Sequence, residues 1–280
     1  MNIYQQISDY TAKGTPLVVV SVTEKKGDGP VEVGKKMIVT IDDIQHGTVG
    51  GGALEYEARN LCKSIFVDRV SITKTYLLKE GQVLKNTQTL PMECGGVITL
   101  FFEYIGPSEF VYIFGAGHCG QALSNVLKTM NFYVTVIDER EHVINQFTGG
   151  DRVVLSSFTG FIEKEGLREN SFVVVATPSH KHDYSVVNKV IESDIKLKYF
   201  GMLCSKLKLK DYLKKTYEKY GKDIDLTNFY SPIGLNIGGG SPEEIAISIT
   251  AEILAIHYKK EGNLHMREAL NNDDDYYWKD

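Results

Sequence analysis

Apolar positions follow two different rhythms along the chain. Over residues 1–105, runs at 17–23, 36–41, 71–78 and 97–104 have the density and β-branching of strands, while the spacing predicts helices near 1–13 and 53–63. Strands joined by short turns rather than by regularly spaced helices imply an α+β domain with a mostly antiparallel or mixed sheet. Ile105-Gly-Pro-Ser-Glu109 carries the turn chemistry of a linker and marks the boundary. From Phe110 the pattern alternates, with strands expected at 111–114, 133–137, 152–155, 172–176 and 198–201 and helices at 117–129, 139–147, 159–165, 181–193 and 205–220. Such alternation calls for a parallel, doubly wound sheet with right-handed crossovers.

The first strand of this second part runs directly into Gly115-x-Gly117-x-x-Gly120, and the next ends at Asp138. Gly115 permits a tight turn, Gly117 leaves no Cβ between the backbone and a pyrophosphate, and Gly120 lets the following helix pack closely on the strand. The start of that helix offers N–H groups and a positive dipole end to an anion. Asp138 stands where a carboxylate accepts hydrogen bonds from a ribose 2′-OH, which favours NAD or another adenosine nucleotide over NADP. The expected class is therefore α/β: a Rossmann-like domain over 110–260, preceded by a smaller α+β domain over 1–105 and followed by an acidic, aromatic tail over 261–280. A Rossmann-shaped scaffold whose glycines serve only packing stands beside the ligand reading.

The last helix is signposted by Ser241-Pro-Glu-Glu244, with an N-cap serine, proline at the first helical position and glutamate three residues after the cap. Its apolar set, Ile245, Ile249, Ile253 and Ile256, must face a core or a partner. Together with the aromatic tail it implies a homodimer.

Three further clusters, and Cys119 within the glycine motif, could carry chemistry. His46-Gly-Thr-Val-Gly50-Gly51-Gly52-Ala-Leu-Glu55 places consecutive glycines ahead of a helix, where backbone N–H groups can converge on an anion; turn geometry alone explains one or two of them. Pro91-Met-Glu-Cys94-Gly-Gly96 sets a thiol beside two glycines at a strand entrance, a better place for sulfur or metal-cofactor chemistry than a core, although free cysteine is most often simply buried. Cys119 lies on the first turn of the glycine-motif helix, where the dipole lowers a thiol pKa, or serves as a small packing residue. Thr177-Pro-Ser-His180-Lys-His182-Asp183 follows the fourth strand of the second domain, beyond whose carboxyl end ligands lie in open α/β sheets. His180 and His182 diverge on a regular helix, so a metal there needs a further ligand such as His118; nucleotide contact and helix capping are the other readings.

A chain of 280 residues that is 42% hydrophobic and 24% charged can bury cores without disulfides. Its four cysteines form no CxxC pair, which argues against zinc knuckles and secreted frameworks. The net charge of −5 leaves no nucleic-acid footprint, and the lysines of 206–222 read as the solvated face of a helix. No apolar run suits a bilayer span and the first residues lack signal-peptide character, so a cytoplasmic protein is expected.

Taken together, these segments resemble the XdhC/CoxI family, accessory factors for xanthine dehydrogenase and related molybdenum hydroxylases. In the first half the resemblance rests on Gly29-Pro-Val-Glu-Val-Gly-Lys-Lys-Met37, Gly47-Thr-Val-Gly-Gly-Gly-Ala-Leu-Glu55 and Cys94-Gly-Gly96. In the second it rests on Phe114-Gly-Ala-Gly-His-Cys-Gly-Gln-Ala-Leu123, Thr177-Pro-Ser-His-Lys-His-Asp183, Tyr199-Phe-Gly-Met-Leu-Cys-Ser-Lys206 and Ser231-Pro-Ile-Gly-Leu-Asn-Ile-Gly-Gly-Gly-Ser-Pro-Glu-Glu-Ile-Ala246, the last being the longest and most specific. The chain departs from the family at Gly27-Asp-Gly-Pro30, where Gly-Ser is common before the proline, and at Cys119.

The resemblance implies a chaperone that binds the molybdenum cofactor, protects it while its sulfido ligand is installed and delivers it to apo-enzyme, with xanthine dehydrogenase or a related hydroxylase as partner and a cysteine desulfurase as sulfur source. The chemistry of the segments places Gly50, Gly51 and Gly52 on the pterin phosphate, Cys94 on sulfur or molybdenum, and Gly115, Gly117, His118, Gly120, Asp138 and His180 around an adenosine moiety. The absence of a convincing acid–base pair agrees with a maturation factor rather than an enzyme. Two other readings are an NAD-dependent oxidoreductase using His180 or His182 as acid–base and a nucleotide-sensing regulatory module.

Overall fold

The computed structural model describes residues 2–79, 85, 87–92 and 95–262, and these divide into two compact units meeting in sequence at Ser108 and Glu109. Cys94 and residues 263–280 of the expected tail lie outside the described residues. No helix among those described is long and apolar enough to cross a membrane.

The first unit is built on a six-stranded sheet in the order β3-β2-β1-β6-β4-β5. Its long central strands, β1 (Leu17–Lys26) and β6 (Val97–Ile105), pair antiparallel, with β2 (Lys36–Thr40) and β3 (Gln45–Gly47) beyond β1 and β4 (Ile72–Leu77) beyond β6. Only β5 (Gln88–Thr89) runs parallel to its neighbour, which makes the sheet mixed. Alternate residues of β1 sort to the two faces. Val18, Val20 and Val22 join Leu54, Ala58, Cys62 and Ile65 of α2 (Gly52–Asp68) in the main core, while Leu17 and Val19 pack with Ile3 and Ile7 of α1 (Ile3–Ala12). The sequence places the end of α2 near residue 63, but Ile65 continues the apolar stripe and the helix closes only at Arg69, whose φ of 55° is left-handed. The two- and three-residue strands β3 and β5 are too short to show a period, and neither is predicted.

The second unit is a six-stranded, all-parallel sheet in the order β12-β11-β10-β7-β8-β9. In chain order these are β7 (Glu109–Phe114), β8 (Phe132–Asp138), β9 (Arg152–Leu155), β10 (Phe172–Val175), β11 (Tyr199–Met202) and β12 (Phe229–Tyr230). The strand order reverses between β7 and β10, the switch point at which this architecture forms its crevice. Helices α3 (His118–Leu127) to α8 (Pro242–His257) complete the unit, with α4 at Glu141–Ile144, α5 at Phe158–Lys164, α6 at His180–Glu192 and α7 at Lys206–Tyr220. Helix α4 is far shorter than the 139–147 expected. Its start is held back because Arg140 is extended (φ −93°, ψ 103°), with its N–H given to the Asp138 carboxylate instead of a helical turn.

Helix α8 begins with the expected capping box: Ser241 Oγ accepts from Glu244 N, and Glu244 Oε2 accepts from Ser241 N at 2.9 Å. Its apolar face does not wait for a partner. Ile249 and Ile253 are buried, and Ile245 and Ile256 pack around them, in one cluster with Ala122, Leu123 and Leu127 of α3. The helical face that suggests a dimer is thus consumed inside the unit.

Candidate functional site

Two clusters of glycine-rich segments result, one in each unit. In the first unit Gly50, Gly51 and Gly52 carry φ values of 126°, 70° and 57°, which L-residues with side chains rarely adopt, and they lead straight into α2. A Cβ on Gly50 would lie 2.8 Å from Pro30 Cγ, so this loop packs against the Gly29-Pro30-Val31 turn. That turn in turn packs on Gly95–Gly96, since a Cβ on Gly96 would overlap the Asp28 carbonyl. Segments far apart in the chain therefore converge on one cleft of about 420 Å³, lined by Gly29, Pro30, Val31, Glu32, Lys35, Thr48, Gly50 and Gly51. The sequence reading treats them as separate clusters; only the sheet, by setting β1–β2 beside the entrance to β6, brings them together.

The N–H groups of Val49, Gly50 and Gly51 are already in use. Glu55, on the first turn of α2, turns its carboxylate back, and Oε1 accepts from Val49 N and Gly51 N at 3.0 Å each and from the Thr48 hydroxyl, while Oε2 accepts from Gln45 Nε2 at 3.0 Å. Partial burial opposes ionisation there, but the bonds from Thr48, Gln45 and the two N–H groups outweigh it and hold the carboxyl below its usual range. Glu55 thus occupies the N–H of Gly51, while Gly50 N donates to Thr48 Oγ1 at 3.2 Å. The signal is present in the sequence: an acidic residue in a first turn seeks the helix's unpaired N–H groups.

At the carboxyl end of the parallel sheet the three fingerprint glycines divide their work. Gly115 (φ 122°) crosses the end of β10 so closely that a Cβ would lie 2.1 Å from the Ala176 carbonyl oxygen, and a Cβ on Gly120 would lie 1.9 Å from Gly115 O. Gly117, with an ordinary φ of −72°, faces open space, and α3 starts there without a side-chain cap. This crossing sets the His118 turn beside the Thr177–His180 turn. Both His118 and His180 are exposed. His180 Nδ1 lies 3.5 Å from Asp183 Oδ2, and the other carboxylate oxygen of Asp183 accepts from Thr177 N at 2.9 Å and Thr177 Oγ1 at 2.6 Å. Asp183 therefore ties down the turn after β10, and burial pushes its carboxyl up despite these bonds. Among the described residues no group of three or more His, Cys, Asp or Glu side chains is placed to hold a metal.

Two expectations change here. The helix dipole alone would lower the Cys119 pKa, but burial and the nearby negative charge of Glu243 push it up, and Cys62 in the first core is pushed up to about 12 by burial. Asp138 is fully buried and its carboxylate is saturated: Oδ2 accepts from Ala116 N at 2.8 Å and Arg140 Nη2 at 2.7 Å, and Oδ1 from Arg140 N and Nε at 2.9 Å each. Four donors fill the four lone-pair sites of a carboxylate. Burial opposes this charge, and the Arg140 side chain with the Ala116 and Arg140 N–H groups overcomes it, so the pKa is lowered. In this arrangement Asp138 braces the glycine turn against β8, with no site left over for a ribose hydroxyl.

Comparison with known proteins matches residues 111–253 to the model of the XdhC Rossmann domain and residues 11–76 to that of the XdhC and CoxI family. The chain belongs to the XdhC and CoxI family. It is 26% identical over 272 residues to the uncharacterized protein YqeB of Escherichia coli K12, covering 96% of this chain and 49% of that protein. It is 30% identical over 157 residues to a probable xanthine dehydrogenase subunit of Bacillus subtilis 168, covering 55% of this chain and 45% of that protein. The chain spans about half the length of the curated relatives it matches. A crystal structure of a xanthine dehydrogenase from Bacillus halodurans aligns with a TM-score of 0.48 at 20% identity, covering 96% of this chain and 99% of that one.

The segment of this XdhC chain with the most specific sequence, residues 231–246, is pinned at both ends. Ser231 Oγ donates to Met202 O at 3.0 Å and lies 3.1 Å from Cys204 Sγ; Gly234 N donates to Glu252 Oε2 at 2.9 Å; Gly240 N donates to Glu244 Oε2 at 2.8 Å. Between these anchors residues 236–240 are exposed. Glu244 and Glu252, both on α8, hold this loop in place; the first is signposted by the capping motif, the second has no local signal in the sequence.

Proposed function

We propose that this XdhC-family chain is a maturation factor for xanthine dehydrogenase or a related molybdenum hydroxylase, binding the molybdenum cofactor, supporting its sulfuration and passing it on. The observation that carries the reading is the convergence of the Gly29–Met37 and Gly47–Glu55 segments on one cleft in the first unit, with Gly96 packed against Asp28 next to that turn. Its size lies within the range of small-molecule sites, and it combines open backbone at Gly51 with an apolar wall at Pro30 and Val31 and charged groups at Glu32 and Lys35. These groups suit a flat, phosphorylated pterin: the open backbone at Gly51 allows a ring to lie against the main chain, and Lys35 offers a counter-charge to a phosphate. Cys94, the chain neighbour of Gly95, is the residue we assign to sulfur or molybdenum contact. When bound, the cofactor supplies the molybdenum centre and the site of sulfuration; the protein's part is to hold and shield it.

In the same proposal the Rossmann unit binds an adenosine nucleotide at the Gly115–Gly120 turn, with Gly117 as the point of close approach. A xanthine dehydrogenase is the client and a cysteine desulfurase the sulfur donor. The test is to purify the protein from a host that makes the molybdenum cofactor and assay molybdenum together with the fluorescent oxidised pterin. Near-stoichiometric amounts of both are expected. Their absence from protein that is folded and still binds its client would overturn the cofactor reading.

A further inference from the structure

At the end of β8, beside the glycine turn, the Asp138 carboxylate is covered and the Arg140 guanidinium reaches solvent, with the Glu139 carboxylate next to it. Asp138, the acidic residue at the end of β8, is buried with both oxygens saturated, and what reaches solvent is the side chain of Arg140, 31% exposed. Its Nε and Nη2 are fixed to Oδ1 and Oδ2 of Asp138 at 2.9 and 2.7 Å, a two-point contact that sets the plane of the guanidinium. Two of the five guanidinium N–H groups are used in this way and three are left for other acceptors. The Asp138 charge that ordinarily repels a ribose phosphate is already paired. The adjoining Glu139 carboxylate lies 3.4 Å from His182 Nδ1.

On the nucleotide reading given above, we infer that Arg140 makes this crevice selective for an adenosine whose ribose carries a 2′-phosphate, the NADP class, over the unphosphorylated NAD class. This reverses the preference that Asp138 suggests when the sequence is read alone. A 2′-hydroxyl needs an acceptor and finds Asp138 full; a 2′-phosphate needs donors and finds an Arg fork held in place by a buried carboxylate. Arg140 is thus a specificity residue, and Asp138 acts through it as a positioning residue.

The test is calorimetric titration of the full chain with NAD⁺ and NADP⁺ at matched ionic strength, repeated on Arg140→Ala. NADP⁺ is expected to bind at least about tenfold more tightly than NAD⁺, as charge-assisted hydrogen bonds to one phosphate allow. In Arg140→Ala that ratio should fall to one or below, because the two Asp138 lone-pair sites vacated by Nε and Nη2 can then accept from a ribose hydroxyl and the unpaired carboxylate repels a phosphate. Because Arg140→Ala leaves a buried carboxylate without its counter-charge, the double variant Asp138→Asn/Arg140→Met, which removes both charges, reads the same ratio should the single variant fail to fold. Equal or tighter binding of NAD⁺ by the wild-type chain would overturn the inference and leave the nucleotide reading standing, since ribose must then displace Arg140 from Asp138. Binding of neither ligand would overturn both.

Discussion

Glu55 Oε1 accepts the N–H of Gly51 at 3.0 Å, so the glycine loop of the first unit carries an anion of its own making. The same oxygen holds Val49 N, and the arrangement fixes a turn whose glycines all have positive φ. Glu55→Ala leaves these donors unsatisfied and is expected to lower unfolding free energy by about 1–3 kcal/mol, read from urea melts. Because the Glu55 pKa is depressed in the folded protein, its contribution is present above the ordinary carboxyl range near 4.5 and is lost as pH falls through the folded value. The gap between wild type and variant should therefore shrink in acid; a gap that is constant from pH 7 to pH 3 would show that the carboxylate is not what closes the loop.

Gly117 and Gly120 belong to one fingerprint but predict opposite phenotypes. Gly117 has ordinary backbone and a Cβ there meets nothing, so Gly117→Val should melt within a few degrees of wild type while its branched side chain blocks a ligand at the turn. A Cβ at Gly120 would fall 1.9 Å from the Gly115 carbonyl, so Gly120→Ala must push α3 off β7 and is expected to cost about 1–3 kcal/mol or more. Thermal melts and nucleotide titrations on the two variants separate binding from packing. Equal destabilisation by both would remove Gly117 from the proposed site.

Much of this is legible in the sequence because it rests on local rules. The fingerprint glycines, the Ser241–Glu244 capping box and the alternating strands each need only a few neighbouring residues, and the structure places them as their spacing implies. What is not legible depends on side chains folding back. Glu55 filling its own helix start, Arg140 saturating Asp138, and Glu252 reaching Gly234 are pairings whose partners lie 2 to 18 residues apart and leave no period in the sequence. Pro30 against Gly50, and Asp28 against Gly96, need the whole sheet to be assembled first. The apolar face of α8 loses its force as an argument for a dimer for a simpler reason: such a face shows that something covers it, and here the cover is α3.

Asp183 offers a prediction of the opposite sign to Glu55. Its folded pKa is raised by burial, beyond what the Thr177 bonds and His180 recover, so the ionised form carries a cost in stability that is absent in acid. Folding stability from this group is fully present below its ordinary pKa of 3.8 and is lost as pH rises through the higher folded value. Asp183→Asn keeps an acceptor for Thr177 without the charge. It should match or exceed wild-type melting temperature at pH 7, and the difference should vanish near pH 3. A variant that is markedly less stable at pH 7 would mean that the charge itself, through His180, holds the turn.

Glu252 joins a buried core tyrosine to the most distinctive loop of the chain. Its Oε2 accepts from the Tyr199 hydroxyl and from Gly234 N, and Tyr199 is fully buried against Tyr230 with ring centroids 4.8 Å apart. Burial and the Glu252 charge together push the Tyr199 pKa far up, so the phenol remains a donor at any physiological pH. Glu252→Ala strands both donors and is expected to cost about 2–6 kcal/mol, from about one to three for each unsatisfied group. Tyr199→Phe alone removes a donor together with its need for a partner, and should cost less. In a double-mutant cycle the two changes should be non-additive, because a phenylalanine ring has no hydroxyl to be stranded by the missing carboxylate. Amide exchange at residues 234–240 should accelerate in Glu252→Ala and stay slow in Tyr199→Phe, whose carboxylate still holds Gly234. Acceleration in both would place the loop's support in the tyrosine hydroxyl and not in the carboxylate alone.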